Sequence, residues 1–225
     1  MIVALIDLIF PRYCLECRKQ GAYICANCLE KVRKASFVCP FCKSFSYGGI
    51  AHPSCRSNTE LTRSVAIWRY EGVVRKAILA LKYKFASDVA AELVTLASAN
   101  LNGVEVFNHS DLVPIPLYLD RLRWRGFNQA ELLGKMLAQN LNLRFEPTLL
   151  VRTRSTTPQA SLHKRERLRN MRGVFAVNED LKVYIKGKRI VLFDDVWTTG
   201  ATFEEAAKEL LKNGAMDVSG LAIAR

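Results

Sequence analysis

Short apolar runs alternate with amphipathic stretches through most of the chain. Strand-like apolar runs occur at 65–70, 111–116 and 190–193. Helical spacing of apolar residues occurs at 72–83, at 87–101, in a stretch that runs to about Asn140, and at 203–213. The run at 190–193 is continuous, which is typical of a strand buried on both faces of a parallel sheet. Strands that alternate with helices predict an α/β domain with a mainly parallel sheet.

The first 64 residues follow a different pattern. The opening run MIVALIDLIFP is too short to span a bilayer, for which ~20 residues are needed, and it lacks the features of a signal peptide. We interpret it as a short core or interface helix, with a peripheral membrane contact as the alternative. The polar stretch at 56–64 is typical of a linker. We therefore predict a cysteine-rich module at 1–58 and an α/β domain at 59–225.

All seven cysteines lie between residues 14 and 55: six form three C-x-x-C pairs, and Cys55 has the same spacing from His52. With one histidine they give eight candidate metal ligands: Cys14, Cys17, Cys25, Cys28, Cys39, Cys42, His52 and Cys55. This spacing lets both thiolates of a pair bind one tetrahedral ion, so the sequence predicts one or two structural zinc sites. An odd number of cysteines argues against a disulfide framework. Sequential pairing and a cross-braced arrangement are both compatible with the spacing.

Composition adds a preference for anionic partners. The chain has 225 residues, a formal net charge of +12 and 50% hydrophobic residues, which suffices for a sizeable core. Nucleic acid, a phosphorylated substrate or Mg²⁺-pyrophosphate would each suit this charge, and so would a generally basic protein without an anionic ligand.

The most informative stretch is RIVLFDDVWTTGAT at 189–202. A turn at a helix N-terminus presents unpaired N–H groups and the positive end of the helix dipole, which suits a phosphate. The residues predicted to hold it are Thr198, Thr199, Gly200, Ala201 and Thr202. Asp194 and Asp195 would repel phosphate, so they are expected to bind a sugar diol or a cation. Together these residues predict a site for a ribose 5-phosphate group, whereas the alternative is that both acids only cap the turn.

Two basic stretches are further candidates for binding pyrophosphate or nucleic acid. Arg121, Arg123 and Arg125 surround Trp124 and precede a helix, as in a phosphate-contacting loop; the alternative is an exposed basic turn with Trp124 in the core. The segment 152–172 is basic and poor in large aliphatic residues, which is typical of a lid or an anion-binding arm. Its candidate residues are Lys164, Arg165, Arg167 and Arg169. Because ligands of open α/β sheets bind at the carboxyl ends of strands, the loop and the 189–202 stretch are expected to face one crevice.

The apolar strand, two acids and T-T-G-x-T at 189–202 resemble the phosphoribosyl pyrophosphate motif of type I phosphoribosyltransferases. The order of C-x-x-C pairs, V-P-I-P-L, R-G-F-N-Q and the 189–202 motif resembles the ComF/GntX family of competence and DNA-utilisation proteins over nearly the whole chain. The resemblance implies a phosphoribosyltransferase-like domain that binds phosphoribosyl pyrophosphate with Mg²⁺, with Asp194 and Asp195 on the ribose hydroxyls. His52 departs from the cysteine that is common in the family.

We therefore expect a cytoplasmic, ComF-like protein that binds phosphoribosyl pyrophosphate and single-stranded DNA during DNA uptake, with proteins of the uptake machinery as possible partners. The alternative is an active phosphoribosyltransferase that acts on a nucleobase or amine acceptor. The sequence assigns no catalytic residue.

Overall fold

The computed structural model describes residues 11–81, 86–101, 107, 109–155 and 172–225. The opening apolar run and the interior of the basic segment, including Lys164, Arg165, Arg167 and Arg169, lie outside these ranges. The described strands are β1 (Arg63–Trp68), β2 (Ser110–Pro114), β3 (Arg144–Phe145), β4 (Leu150–Arg152), β5 (Phe175–Val177), β6 (Arg189–Val196) and β7 (Asp217–Ala224). The described α-helices are α1 (Ala26–Leu29), α2 (Gly72–Ala80), α3 (Ala86–Leu101), α4 (Leu119–Arg125), α5 (Gln129–Asn140) and α6 (Ala201–Lys212).

Five strands form one parallel sheet in the order β1-β7-β6-β2-β3. The central strand β6 pairs with both β2 and β7, with Leu192 opposite Val113 and Gly220. Strands β4 and β5 form a separate antiparallel pair. The predicted α/β class is therefore confirmed, and the predicted strands and helices match the described elements to within a few residues.

Alternate residues of β6 face two separate apolar cores. Val191 and Phe193 pack toward helices α2, α3 and α5, whereas Ile190 and Leu192 pack toward α6 and the β4–β5 pair. A strand with apolar side chains on both faces reads as a continuous apolar run, which explains why β6 was the clearest strand in the sequence.

The cysteine-rich module lies against the β1 side of the sheet. Short bridges join Ile50 to Arg63 and Lys34 to Trp68. Two 3₁₀ helices, Tyr47–Gly49 and Pro53–Asn58, lead from this module toward β1. The prediction of a linker at 56–64 is wrong, because Thr59 and Leu61 are buried against the α/β domain and Arg63 already belongs to β1. The stretch has the polar composition of a linker, but its polar groups bond residues that are distant in sequence, and these partners cannot be recognised from the sequence alone.

Within the described residues, the helices are too short or too polar for any of them to cross a lipid bilayer.

Candidate anion-binding cleft and metal centres

A cleft of about 340 Å³ opens at the carboxyl ends of the parallel strands. Its floor is formed where β6 extends beyond β2, whose last ladder partner on β6 is Phe193. The residues that line it are Tyr70, Ile78, Ile115, Leu117, Arg121, Arg125, Asn128, Gln129, Ala130, Arg152, Asp194, Asp195, Val196, Thr198 and Thr202. The crevice thus lies where the topology of an open α/β sheet places ligands.

The structure brings together most of the predicted site residues that it describes. Asp194, Asp195, Thr198 and Thr202 line the cleft with Arg121 and Arg125. The other predicted members of this set, Thr199, Gly200, Ala201 and Arg123, are not among its lining residues.

Both acids reach the cleft although they are adjacent on one strand. The Asp194 carboxylate turns back, and its Oδ1 accepts a hydrogen bond from the Asp195 N–H at 2.9 Å. The last hydrogen bond between the two chain segments is donated by the Ile115 N–H to the Phe193 carbonyl. Beyond Phe193, β6 is no longer paired with β2 and borders the cleft. The end of the ladder therefore allows an arrangement that simple alternation of side chains would forbid.

The electrostatics of the cleft favour a ligand that carries both positive and negative parts. Burial and the charge of Asp195 raise the pKa of Asp194 well above its usual value, although Arg152 opposes this shift. Burial and the nearby guanidinium of Arg121 lower the pKa of Arg152 to about 10. Two crowded acids beside clustered arginines can bind a cation and an anion side by side.

The basic stretch after β2 forms helix α4, whereas we expected a loop. Arg121 and Arg125 are one helical turn apart and both face the cleft, while the helical rotation directs Arg123 to the opposite side. Arg125 donates from Nη1 to Gln129 Oε1, which ties α4 to the first residue of α5. The alternative with a core tryptophan is also wrong, because 83% of Trp124 is exposed.

The residues Thr198–Thr202, here called the threonine loop, lead into α6. Gly200 adopts a left-handed conformation with φ 86° and is the residue that precedes the helix. A Cβ at Gly200 would lie 3.0 Å from Nε1 of Trp197, so a side chain there would meet the indole as well as a strained backbone. Trp197 packs under the loop, stacked on Phe203 with ring centres 4.1 Å apart.

Arg152 and Tyr70 are two site residues that we did not single out from the sequence. Arg152 ends β4 and is the first residue of the basic segment, and Tyr70 follows the end of β1. Tyr70 was placed inside the predicted strand 65–70, whereas the observed strand ends at Trp68, and the short strand β4 gave no signal of its own.

The first of two ligand clusters contains Cys14, Cys17, Cys25 and Cys28. Its ligand atoms all lie within 4.8 Å of one another. A tetrahedron of Zn–S bonds of about 2.3 Å separates its sulfurs by about 3.8 Å, so four thiols at this spacing fit a zinc ion. These four residues form the first cluster.

The second cluster contains Cys39, Cys42, His52 and Cys55, again with all ligand atoms within 4.8 Å. His52 Nδ1 lies 3.4 Å from Cys42 Sγ, and its Nε2 lies 3.0 Å from the Phe45 carbonyl oxygen, to which it can donate. A histidine that donates from one nitrogen presents the other to a metal. The two clusters therefore group the pairs sequentially and not in a cross-braced arrangement, and His52 is the fourth member of the second cluster.

Comparison with curated proteins finds relatives that match nearly the whole chain. The DNA utilization protein YhgH of Salmonella typhimurium is 32% identical over 227 residues, which cover 94% of this chain and 96% of the relative. Competence protein F of Haemophilus influenzae is 28% identical with the same coverage, and competence protein ComFC of Bacillus subtilis is 27% identical over 92% of this chain and 86% of the relative. No protein-family model matches the chain.

The chain belongs to the ComF/GntX family. This confirms the resemblance that the order of motifs indicated. Its members include proteins named for DNA utilization and for competence, and the two ligand clusters and the cleft lie in a chain of nearly the same extent as theirs.

Solved structures show more distant similarities. Glutamine phosphoribosylpyrophosphate amidotransferase from B. subtilis matches 61% of this chain and 27% of its own, with 16% identity and a TM-score of 0.41. Adenine phosphoribosyltransferase from Leishmania donovani matches 60% of this chain and 51% of its own, with 17% identity and a TM-score of 0.35. At these TM-scores the similarities say nothing about ligands.

Proposed function

We propose that the cleft of this ComF/GntX protein binds phosphoribosyl pyrophosphate together with Mg²⁺ and that the protein acts in DNA uptake or in the use of incoming DNA. The relatives' names support the cellular role. Asp194 and Asp195 would hold the ribose hydroxyls and the threonine loop the 5′-phosphate, while Arg121 and Arg125 would face the pyrophosphate.

One observation carries this proposal: the acid pair, Thr198, Thr202 and two arginines line a single cleft. Acidic side chains would weaken the binding of a bare phosphate, whereas a phosphorylated sugar offers hydroxyls and phosphates at adjacent positions. Carboxylate oxygens are the ligands that Mg²⁺ prefers, so the acid pair also suits a cation that is bound with the phosphates. Mg²⁺ would supply charge neutralisation of the pyrophosphate when bound.

The two ligand clusters would hold structural zinc. Each cluster has four protein ligands, which leaves no coordination position for a substrate, so the expected contribution of the metal is to folding. The soft sulfur ligands favour zinc over Mg²⁺ or Ca²⁺.

Calorimetric titration of the zinc-loaded protein with phosphoribosyl pyrophosphate and Mg²⁺ tests the cleft. Wild type should bind, and Asp194→Asn/Asp195→Asn should weaken binding at least tenfold. The matched control is Glu179→Gln/Asp180→Asn, which removes two adjacent acids that are exposed and do not line the cleft. Absence of binding by folded wild type, or equal losses in both double variants, would refute the proposal.

The raised pKa of Asp194 adds a second measurement on the same complex. Because hydroxyls and Mg²⁺ bind the ionised carboxylate, ligand binding should release protons wherever Asp194 is still partly protonated. Titrations in buffers with different ionisation enthalpies would detect this release. Affinity should therefore rise with pH, and Asp194→Asn should show no such release.

We also propose binding of single-stranded nucleic acid at helix α4. Among the residues of α4 none is buried, and it carries Arg121, Arg123 and Arg125 against the single acid Asp120. Trp124 is 83% exposed and lies about 60° around the helix from Arg121, a residue that lines the cleft. An exposed ring beside arginines suits stacking on bases while the backbone phosphates meet the guanidinium groups.

The tryptophans provide an internal probe of this second proposal. Trp68 and Trp197 are each 2% exposed, so Trp124 is the one indole of the chain's three that a bound strand can reach. An oligothymidine should quench the fluorescence at low salt, with an affinity that falls steeply as salt rises. Trp124→Phe should lose most of the quenching, and Trp124→Ala should weaken binding several-fold, as measured by anisotropy of a labelled strand.

The control for this measurement is Tyr47→Ala, because 87% of Tyr47 is exposed on the cysteine-rich module. Equal binding by Trp124→Ala and wild type would contradict a nucleic-acid site on α4. Charge reversal at Arg165, Arg167 and Arg169 tests the predicted basic arm in the same assay.

Turnover separates a binding protein from a transferase. The prediction of an active phosphoribosyltransferase requires acceptor-dependent release of pyrophosphate, which an enzymatic pyrophosphate assay with nucleobases and amines would detect.

A further inference from the structure

The first turn of α6, which directly follows the threonine loop, is contacted by residues that follow the second cluster. Glu204, in the first turn of α6, accepts a hydrogen bond from the Thr59 hydroxyl at 2.5 Å and one from the Glu60 N–H at 2.9 Å. Its own N–H donates to the Gly200 carbonyl at 2.9 Å. Glu204 therefore joins the segment that follows the second cluster directly to the threonine loop.

On its other side, the threonine loop is preceded by Trp197, which lies near a residue that is adjacent to the second cluster. Lys43 follows the ligand Cys42, and its Nζ lies 5.8 Å from the centre of the Trp197 ring. Trp197 directly precedes Thr198. Its backbone N–H donates a 2.8 Å hydrogen bond to the Ala224 carbonyl of β7. An ammonium over an indole ring is attractive, and more so when the ring is buried.

These contacts bracket the threonine loop between two points of one small module. Lys43 is adjacent to one ligand of the second cluster, and Thr59 directly follows the 3₁₀ helix that contains another, Cys55. The distance between Lys43 and Thr59 is therefore set by the chain that wraps the cluster. The residues on both sides of the threonine loop, Trp197 and Glu204, therefore each have a neighbour on this chain.

We propose that Thr59 and Lys43 are positioning residues for the threonine loop, so that the second cluster determines how well the cleft binds a phosphate group. The role of the loop in binding phosphate rests on the function proposed above. The geometric link between cluster and loop does not depend on that role.

The first cluster contacts other elements of the α/β domain. Its segment is held by Glu92 of α3, which accepts the N–H groups of Tyr23 and Ile24 at 3.0 and 2.7 Å. Lys76 of α2 forms an ion pair with Glu16 at 3.3 Å. Both contacts lie on the helices of the opposite core, so the two clusters differ in which part of the domain they hold.

Thr59→Val tests the link without changing a charge. The substitution keeps the shape of the side chain and removes the hydroxyl, which donates to Glu204 and also accepts the Leu61 N–H at 3.2 Å. In the ligand-free protein, amide hydrogen exchange of peptides that cover 197–206 should become roughly tenfold faster. Lys43→Met should accelerate exchange in the same peptides to a smaller extent.

Thr62→Val is the matched control. Thr62 is three residues away in the same segment, but its hydroxyl bonds Asp217 and Val218 at the start of β7. Exchange at 197–206 should remain as in wild type in this variant. Equal exchange in Thr59→Val and Thr62→Val would overturn the proposed link, provided that zinc content and secondary structure match wild type.

The affinity for phosphoribosyl pyrophosphate with Mg²⁺ then separates the two proposals. A several-fold loss in Thr59→Val, with Thr62→Val unchanged, is the expected result. Faster exchange with unchanged affinity would overturn the effect of the second cluster on phosphate binding. Absence of binding by wild type, with faster exchange in Thr59→Val, would refute the proposed ligand and leave the link intact.

Discussion

The two ligand clusters look almost alike in sequence but hold different parts of the α/β domain. Each cluster segment is anchored by one glutamate that accepts two hydrogen bonds: Glu92 of α3 for the first and Glu204 of α6 for the second. Glu92 lies on a helix that packs in the core beneath α2 and α5. Glu204 lies in the turn that follows the threonine loop.

This difference indicates that the effect of a ligand cluster on function depends on which element of the α/β domain it contacts. Each cluster offers four ligands that could hold one metal ion, and both lie far in sequence from the strand-end residues of the cleft. We expect the first cluster to serve stability alone, whereas the second should serve stability and the shape of the cleft.

Removal of a buried ligand from each cluster should have the largest effect. Cys14 and Cys39 are both 0% exposed, so Cys14→Ser and Cys39→Ser are closely matched. Each variant should lose one zinc ion per chain by mass spectrometry and a substantial part of its thermal stability. Affinity for phosphoribosyl pyrophosphate with Mg²⁺ should fall at least tenfold in Cys39→Ser and less than about threefold in Cys14→Ser.

Similar losses of affinity in the two cysteine variants would break the distinction between the clusters. Measurements below the melting temperature of the weaker variant, with circular dichroism on each sample, control for global unfolding.

Substitution of either anchoring glutamate by glutamine should have an intermediate effect. Glu92→Gln and Glu204→Gln each weaken a pair of hydrogen bonds to a carboxylate, which should lower the free energy of unfolding by about 1–2 kcal/mol. Denaturant titration would measure this loss. Only Glu204→Gln should accelerate amide exchange at 197–206, and acceleration in Glu92→Gln would contradict the separate roles of the anchors.

The pH dependence of stability should show the smallest effect. Burial raises the pKa of Glu204 above its usual value of 4.5, against the hydrogen bonds from Thr59 and Glu60. The folded protein therefore binds this proton more tightly than the unfolded chain, and stability should fall as pH rises through the range just above 4.5. Wild type should thus gain stability relative to Glu204→Gln as pH is lowered toward 4.5, and the opposite trend in denaturant titrations would contradict this assignment.

Much of the fold could be predicted from the sequence because the strong signals are local. The strand at 190–193 is apolar on both faces, and helix α6 shows regular spacing between Gly200 and Gly214. Membership in the ComF/GntX family followed from the order of short motifs. The docking of 56–64 could not be predicted, since its partners Glu204 and Val218 lie more than 140 residues away.

The part of the site that lies at the end of one strand could be predicted from the sequence. Asp194 and Thr198 both follow the apolar run at 190–193, so their proximity was expected. The helical form of 119–125 was missed because three arginines around a tryptophan suggested a loop, and helical rotation is what separates Arg123 from Arg121 and Arg125. The pairing of cysteines depends on the path of the chain between the pairs, which spacing alone does not determine.

The packing beneath the threonine loop also constrains how this protein can have evolved. A Cβ at Gly220 of β7 would lie 2.3 Å from the Trp197 ring, so the indole occupies space that any larger residue at 220 would need. We therefore expect tryptophan at 197 to require glycine at 220. Relatives with a small residue at 197 should be free to carry alanine at 220, whereas those with tryptophan should keep glycine, so that the two positions change together across the family.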